Sequence, residues 1–131
     1  MQLPWAGIEP YIDVVDHERI WTCGKGVYAE PVAEMALTLA LASMRCLDRY
    51  GRATRWRADG TIGTNLTGAR VTVLGGGGIT ESFLRMIGPF GCDTTVARRN
   101  PTGSAPLARA HVVGPDALHE ASLPPMMLCT L

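Results

Sequence analysis

The 131-residue sequence lacks an excess of charge of either sign, because 12 lysine and arginine residues balance 12 aspartate and glutamate residues. A chain with zero formal charge has no general attraction to nucleic-acid backbones or anionic lipid surfaces, so neither partner is expected. Charged residues are also few, at 18% of the chain against 47% hydrophobic residues. This balance excludes an intrinsically disordered segment and predicts one globular domain, or part of a larger one.

Long hydrophobic runs are missing as well. The longest, Met35 to Ala42, is interrupted by Thr38 and is much shorter than the roughly 18 residues of a membrane span. Residues 1–10 have no basic region ahead of an apolar one, which a secretory signal would require. We therefore expect no membrane segment and a cytoplasmic location.

No two cysteines have the C-x-x-C spacing of metal sites and redox motifs. Cys23, Cys46, Cys92 and Cys129 are scattered along the chain. In a reducing compartment, such isolated thiols usually act as small buried hydrophobic side chains. The sequence predicts neither a disulfide nor a cysteine metal site.

The first strong periodicity lies between Pro31 and about Tyr50, where apolar residues recur at steps of three and four. This spacing predicts one long helix, with Pro31 in its first turn and Gly51 as its stop. The helix is apolar over more than one face, so part of its apolar surface is free to pack against a partner. It is therefore a candidate homodimer surface.

Residues 69–97 have the pattern of a β-α-β unit. The glycines Gly75–Gly78 follow a β-branched run, and apolar residues at helical spacing follow the glycines until Pro89 and Gly91. Four apolar runs are predicted as strands: Ala69–Leu74, Thr94–Ala97, Ala110–Val113 and Met126–Leu131. The predicted fold class is α/β, a partial Rossmann doubly wound parallel sheet with a long preceding helix.

The glycine turn suggests chemistry as well as structure. Gly75 and Gly77 match the first two glycines of G-x-G-x-x-G, whereas Thr80 stands at the third. A pyrophosphate must approach backbone N–H groups at a helix N-terminus, and glycine permits that approach. We therefore predict that Gly75, Gly76, Gly77, Gly78 and Ile79 bind a dinucleotide. The branched side chain of Thr80 at the third motif position is expected to affect the affinity for this cofactor.

The same glycines allow two alternatives. One is a flexible connection without a ligand. The second is a methyltransferase-type turn, which usually carries an acidic residue just before its glycines. The run Thr72-Val73-Leu74 supplies no such residue, so a dinucleotide-binding turn is favoured.

The end of the second predicted strand bears on the choice of cofactor. A carboxylate there would bind the ribose hydroxyls of NAD, but this chain has Arg98 and Arg99. Guanidinium groups bind phosphate oxygens well, so the pair favours the 2′-phosphate of NADP over NAD. The alternative is that both arginines are only solvated surface charges.

These features together resemble the D-isomer-specific 2-hydroxyacid dehydrogenases. The glycine turn, Arg98 and the preceding helix are joined by further landmarks: Ala6-Gly7-Ile8, Val32-Ala33-Glu34, Trp56 and Leu66-Thr67-Gly68. The resemblance implies an oxidoreductase that transfers hydride between a nicotinamide cofactor and a small-molecule 2-hydroxy or 2-oxo acid. It also implies that backbone N–H groups at Ala6 and Gly7 bind the substrate carboxylate.

The resemblance also implies how the chain is divided. Residues 1–28 would be a remnant of the substrate domain, 29–68 the interdomain helix and its connection, and 69–131 part of the NAD(P)-binding domain. The family's catalytic arginine, glutamate and histidine lie beyond the fourth Rossmann strand, and His17, His111 and His119 do not match that histidine. No catalytic residue is predicted. We expect a truncated dehydrogenase or, alternatively, a non-catalytic nucleotide-binding or dimer-forming remnant.

Overall fold

A computed structural model describes residues 1–56, 63–102, 110–118 and 127–130 of the chain. Its helices are α1 (Ala29–Met44), α2 (Leu47–Tyr50) and α3 (Gly78–Ile87), and its strands are β1 (Arg70–Leu74), β2 (Asp93–Ala97), β3 (Ala110–Val113) and β4 (Met127–Thr130). Short 3-10 helices lie at Glu9–Tyr11, Gly88–Phe90 and Pro115–Ala117. No helix in these described ranges is long and apolar enough to cross a membrane.

The four strands form one parallel sheet in the order β3-β2-β1-β4. Val73 lies between Val96 of β2 and Cys129 of β4 in the register. This order is that of the first four strands of a doubly wound sheet, in which the chain moves outward from β1 and then returns to its other side. The predicted fold class is confirmed, and the point where the strand order reverses lies between β1 and β4.

The core lies between α3 and one face of the sheet. Val71, Val73 and Val96 occupy alternate positions on that face, and all three are buried. Phe83 and Ile87 from α3 are buried in the same cluster. They lie one turn apart on α3, which is the spacing that the sequence predicted for its inner face. Burial of this face holds the start of α3 against the end of β1.

The helix predicted from Pro31 to Tyr50 is interrupted. Helix α1 ends at Met44, and Cys46 adopts a left-handed backbone conformation with φ 52° before α2 begins. The Met44 carbonyl accepts a hydrogen bond of 2.7 Å from the Thr64 N–H, a donor from a distant part of the chain. The prediction of one continuous helix is therefore wrong, because a tertiary partner takes a carbonyl that a longer helix would use. The predicted stop is right, since α2 ends at Tyr50.

The cysteines whose side chains the structure describes are free thiols. The sequence predicts buried thiols, but Cys23, Cys46 and Cys92 are only half-buried. The Cys92 thiol donates a hydrogen bond of 3.3 Å to the Leu66 carbonyl, and burial raises its pKa above the usual thiol value. Cys92 is thus a neutral packing residue. The side chain of Cys129 lies outside the described part of the chain.

Candidate functional site

The glycine turn begins where β1 ends. Gly75 has φ +103°, a left-handed conformation that glycine adopts without the steric cost of a Cβ atom. Its N–H donates a hydrogen bond of 2.9 Å to the Ala97 carbonyl, which continues the β1–β2 pairing one residue beyond the strand. The chain then leaves the sheet and enters α3 within three residues. A tight turn therefore lies at the carboxyl end of β1, next to the point where the strand order reverses.

Gly77 is the N-cap of α3 and has an extended backbone conformation. Its carbonyl accepts the first helical hydrogen bond from the Glu81 N–H, at 3.1 Å. A Cβ atom added at Gly77 would have no other atom within 4 Å. The first N–H groups of a helix have no carbonyl partner within that helix, and the helix dipole is positive there. Gly77 thus borders open space at a helix end that favours an anion.

Gly76 lies directly beneath Arg98. A Cβ atom at Gly76 would come within 2.7 Å of the Arg98 Cδ atom, so glycine allows the arginine side chain to lie across the turn. The Arg98 backbone N–H donates to the Val113 carbonyl at 3.0 Å, and its Nη2 donates to the Pro101 carbonyl at 3.1 Å. Arg98 is consequently half-buried and held over the glycines, whereas Arg99 is exposed.

Thr80 is accommodated on the inner face of α3. The residue is 1% exposed, and its hydroxyl donates a hydrogen bond of 2.8 Å to the Gly75 carbonyl. The residue that departs from the glycine pattern therefore links the first turn of α3 to the first glycine of the motif. The sequence indicated a branched side chain at this contact but not the hydrogen bond, which depends on how the turn is folded.

The predicted site residues fall into two groups. Gly75 to Ile79 form one continuous turn and helix start, and Arg98 joins them by its contact with Gly76. Ala6 and Gly7 lie in the exposed N-terminal segment. That segment hydrogen-bonds to itself, as in the bonds from Leu3 N–H to the Thr22 carbonyl and from Gly24 N–H to the Trp5 carbonyl. The structure thus brings Gly75–Ile79 and Arg98 together, with Pro101 as an unpredicted support of Arg98, whereas the predicted Arg99 is exposed.

Helix α1 adjoins the same turn. A Cβ atom at Gly78 would lie 3.8 Å from the Ala29 Cβ atom, an ordinary packing distance. The Arg85 Nη2 and Glu30 Oε1 atoms form an exposed ion pair of 2.9 Å between α3 and α1. An exposed pair contributes little to stability, so apolar packing of the two helices is the main restraint on their contact.

A relative of known sequence matches a large part of the chain, and no protein-family model matches it. An uncharacterised protein in the proB 3′ region of Corynebacterium melassecola is 31% identical over 100 residues, which are 72% of this chain and 33% of that protein. The chain thus spans about a third of the length of this relative.

Solved structures of D-isomer-specific 2-hydroxyacid dehydrogenases are similar to the chain. D-lactate dehydrogenase from Escherichia coli is 26% identical with a TM-score of 0.56, over 65% of this chain and 28% of that one. A D-isomer-specific 2-hydroxyacid dehydrogenase family protein from Aeromonas salmonicida has a TM-score of 0.73 over 91% of this chain and 38% of its own. A glycerate dehydrogenase related protein from Thermoplasma acidophilum has a TM-score of 0.61, over 83% of this chain and 38% of its own. At 21% and 24% identity, the last two show a shared fold.

Proposed function

We propose that this chain, which resembles part of the D-isomer-specific 2-hydroxyacid dehydrogenases, carries the nucleotide-binding turn of an NAD(P)-dependent oxidoreductase. The observation that carries the proposal is the position of the turn Gly75–Gly78. It lies at the carboxyl end of β1, beside the reversal of the order β3-β2-β1-β4. Open α/β sheets bind their ligands at this place. A cytoplasmic location is part of the proposal.

The turn offers the features that a dinucleotide pyrophosphate needs. The tight conformation of Gly75 and the open space at Gly77 allow an anion to reach the N–H groups at the start of α3. Ile79, half-buried in the first turn, would pack beside the nucleotide. When bound, the nicotinamide would exchange hydride with a small 2-hydroxy or 2-oxo acid. Backbone N–H groups at Ala6 and Gly7 would hold the carboxylate of that acid.

The proposal includes the division of the chain. Residues 1–28 would correspond to part of a substrate domain, 29–68 to an interdomain helix and connection, and 69–131 to part of a nucleotide-binding domain. No histidine of this chain is assigned as the acid or base of the reaction. A non-catalytic nucleotide-binding or dimer-forming protein is therefore the second candidate.

Two measurements on the purified chain separate the candidates. Calorimetric titration with NAD and NADP tests the turn, and consumption of reduced cofactor with a panel of 2-oxo acids tests catalysis. Binding with turnover supports the dehydrogenase, whereas binding without turnover supports the non-catalytic alternative. If neither nucleotide binds, the proposed role of the turn is wrong.

We expect the chain to prefer NADP to NAD by about fivefold to tenfold. Arg98 lies over the glycine turn, and a charge-assisted hydrogen bond to a 2′-phosphate is worth about 1 kcal/mol net in a site open to solvent and salt. Arg98→Asp removes that bond and adds repulsion, so the preference should reverse. Titration of both nucleotides into both proteins measures the ratio.

Arg99→Asp is the matched control, because Arg99 is adjacent but exposed. It should lower NADP affinity less than Arg98→Asp does. Gly76→Ala should displace the Arg98 side chain and also reduce the preference. A wild-type protein that binds NAD as tightly as NADP would show that the arginines are only surface charges.

We also expect α1 to associate with a second copy of the chain. Val32, Met35 and Leu39 recur at helical spacing and are exposed, Met35 by 57% and Leu39 by 61%. An apolar stripe of this kind commonly marks an interface. Sedimentation at roughly tens of micromolar should therefore detect a dimer in the wild type, and Leu39→Lys should shift it to the monomer.

The control for the dimer is Ile20→Lys. Ile20 is 84% exposed but lies outside α1, so its substitution should leave the dimer intact. A monodisperse wild-type monomer, or equal dissociation by the two variants, would contradict a dimer formed through α1.

A further inference from the structure

We propose that Thr80 is a positioning residue for the nucleotide-binding turn and acts through the Gly75 carbonyl. The inference rests on the proposed function, because it concerns how tightly the same turn binds a nucleotide. Thr80 is almost completely buried and its hydroxyl donates to the Gly75 carbonyl at 2.8 Å. The bond joins the first residue of the turn to the first turn of α3.

Gly75 needs such a restraint because glycine has many accessible backbone conformations. Its N–H is held by the Ala97 carbonyl at 2.9 Å, on the sheet side. Its carbonyl is held by Thr80 on the helix side. The two bonds attach both polar groups of Gly75 to different elements and so select one orientation of the turn.

The orientation of the Gly75 carbonyl also determines that of the next N–H group. A trans peptide is planar, so the Gly76 N–H points opposite to the Gly75 carbonyl oxygen. Because that oxygen points to the buried Thr80 hydroxyl, the Gly76 N–H points away from it. A rotated peptide would exchange these directions and present a carbonyl oxygen where an anion requires a donor. Thr80 therefore favours the anion-binding orientation before the ligand arrives.

The hydrogen bond from Thr80 gives a reason why threonine, and not glycine, stands at the third position of the motif. Glycine there would allow closer packing of helix and strand but would leave the Gly75 carbonyl without this donor. Ordering a turn in advance lowers the entropic cost of binding. The Thr80 hydroxyl thus preorganises the turn. This effect on binding offsets the looser packing of helix and strand that the branched side chain causes.

The test compares Thr80→Val, Thr80→Ser and Thr94→Val in the full chain. Valine keeps the shape of threonine without the hydroxyl, and serine keeps the hydroxyl. Thr94 is also buried but lies near the start of β2, at the other end of that strand from the turn. Dissociation constants for NADP and NAD are measured well below each melting temperature, and the melting temperatures are recorded separately.

We expect Thr80→Val to weaken binding of both nucleotides by about tenfold, because the partly buried Gly75 carbonyl loses its donor and the turn loses its restraint. Thr80→Ser should stay within about twofold of wild type. Thr94→Val should leave the affinity unchanged, whatever its melting temperature. If Thr80→Val does not fold, Thr80→Ala provides the same comparison, since alanine fits this motif position.

The possible failures are distinct. Wild-type affinity in Thr80→Val overturns the inference and leaves the proposed function intact. An equal loss of affinity in Thr94→Val assigns the effect to general destabilisation and also overturns it. If the wild type binds neither nucleotide, the proposed function fails and the role of Thr80 fails with it.

Discussion

Gly77→Val is expected to abolish nucleotide binding while leaving the chain folded. Gly77 has an extended backbone that other residues adopt, and its added Cβ atom meets no protein atom within 4 Å. The side chain would instead occupy the space that the pyrophosphate needs next to the N–H groups of α3. Binding should fall by about 100-fold or more, as expected when several charge-assisted hydrogen bonds are lost together. Calorimetry measures the affinity, and circular dichroism verifies the fold.

A control glycine must tolerate a side chain without strain. Gly63 lies outside the motif, and from sequence alone Gly63→Val would be expected to leave binding unchanged. However, Gly63 has φ +98°, and a Cβ atom there would lie 2.6 Å from the Met44 carbonyl oxygen, so the substitution would strain the fold. Gly24 is suitable instead, because its φ lies outside the left-handed region and a Cβ atom there would make only ordinary contacts, the nearest at 3.6 Å from the Trp5 carbonyl carbon. Gly24→Ala should bind as wild type does, whereas Gly77→Ala should already weaken binding. Equal affinities in both alanine variants would contradict the assigned turn.

Phe83→Ala is expected to reduce the free energy of unfolding by about 3–5 kcal/mol, the cost of truncating a buried phenylalanine and leaving a cavity. Phe83 is fully buried in the core cluster that holds α3 on the sheet. A loss of this size is a large fraction of the stability of an ordinary domain, so nucleotide affinity should fall as well. Urea unfolding followed by circular dichroism measures the change in midpoint and slope.

Trp56→Ala is the matched control for the core substitution. Trp56 has a large aromatic side chain but is 90% exposed, so its removal should change the unfolding free energy by no more than about 0.5 kcal/mol. A similar loss in both variants would show that the change in unfolding free energy does not follow the burial of the side chain.

Short-range patterns in the sequence were sufficient to predict the strands of this protein and the helix after the glycine turn. The strand Ala110–Val113 has its predicted bounds, and β1 and β2 differ from theirs by one residue. The glycine turn and the amphipathic face of α3 also agree, since periodicity and glycine chemistry act over a few neighbouring residues. From these local elements the α/β class follows. The cofactor-binding roles of Gly75–Ile79 and Arg98 stay predictions.

Features that join distant residues required the folded chain. Helix α1 ends at Met44, where the Thr64 N–H from a remote segment takes the Met44 carbonyl. Arg98 lies over Gly76 because the Val113 and Pro101 carbonyls hold it. These hydrogen bonds depend on where tertiary packing places each partner, and no local pattern encodes that placement.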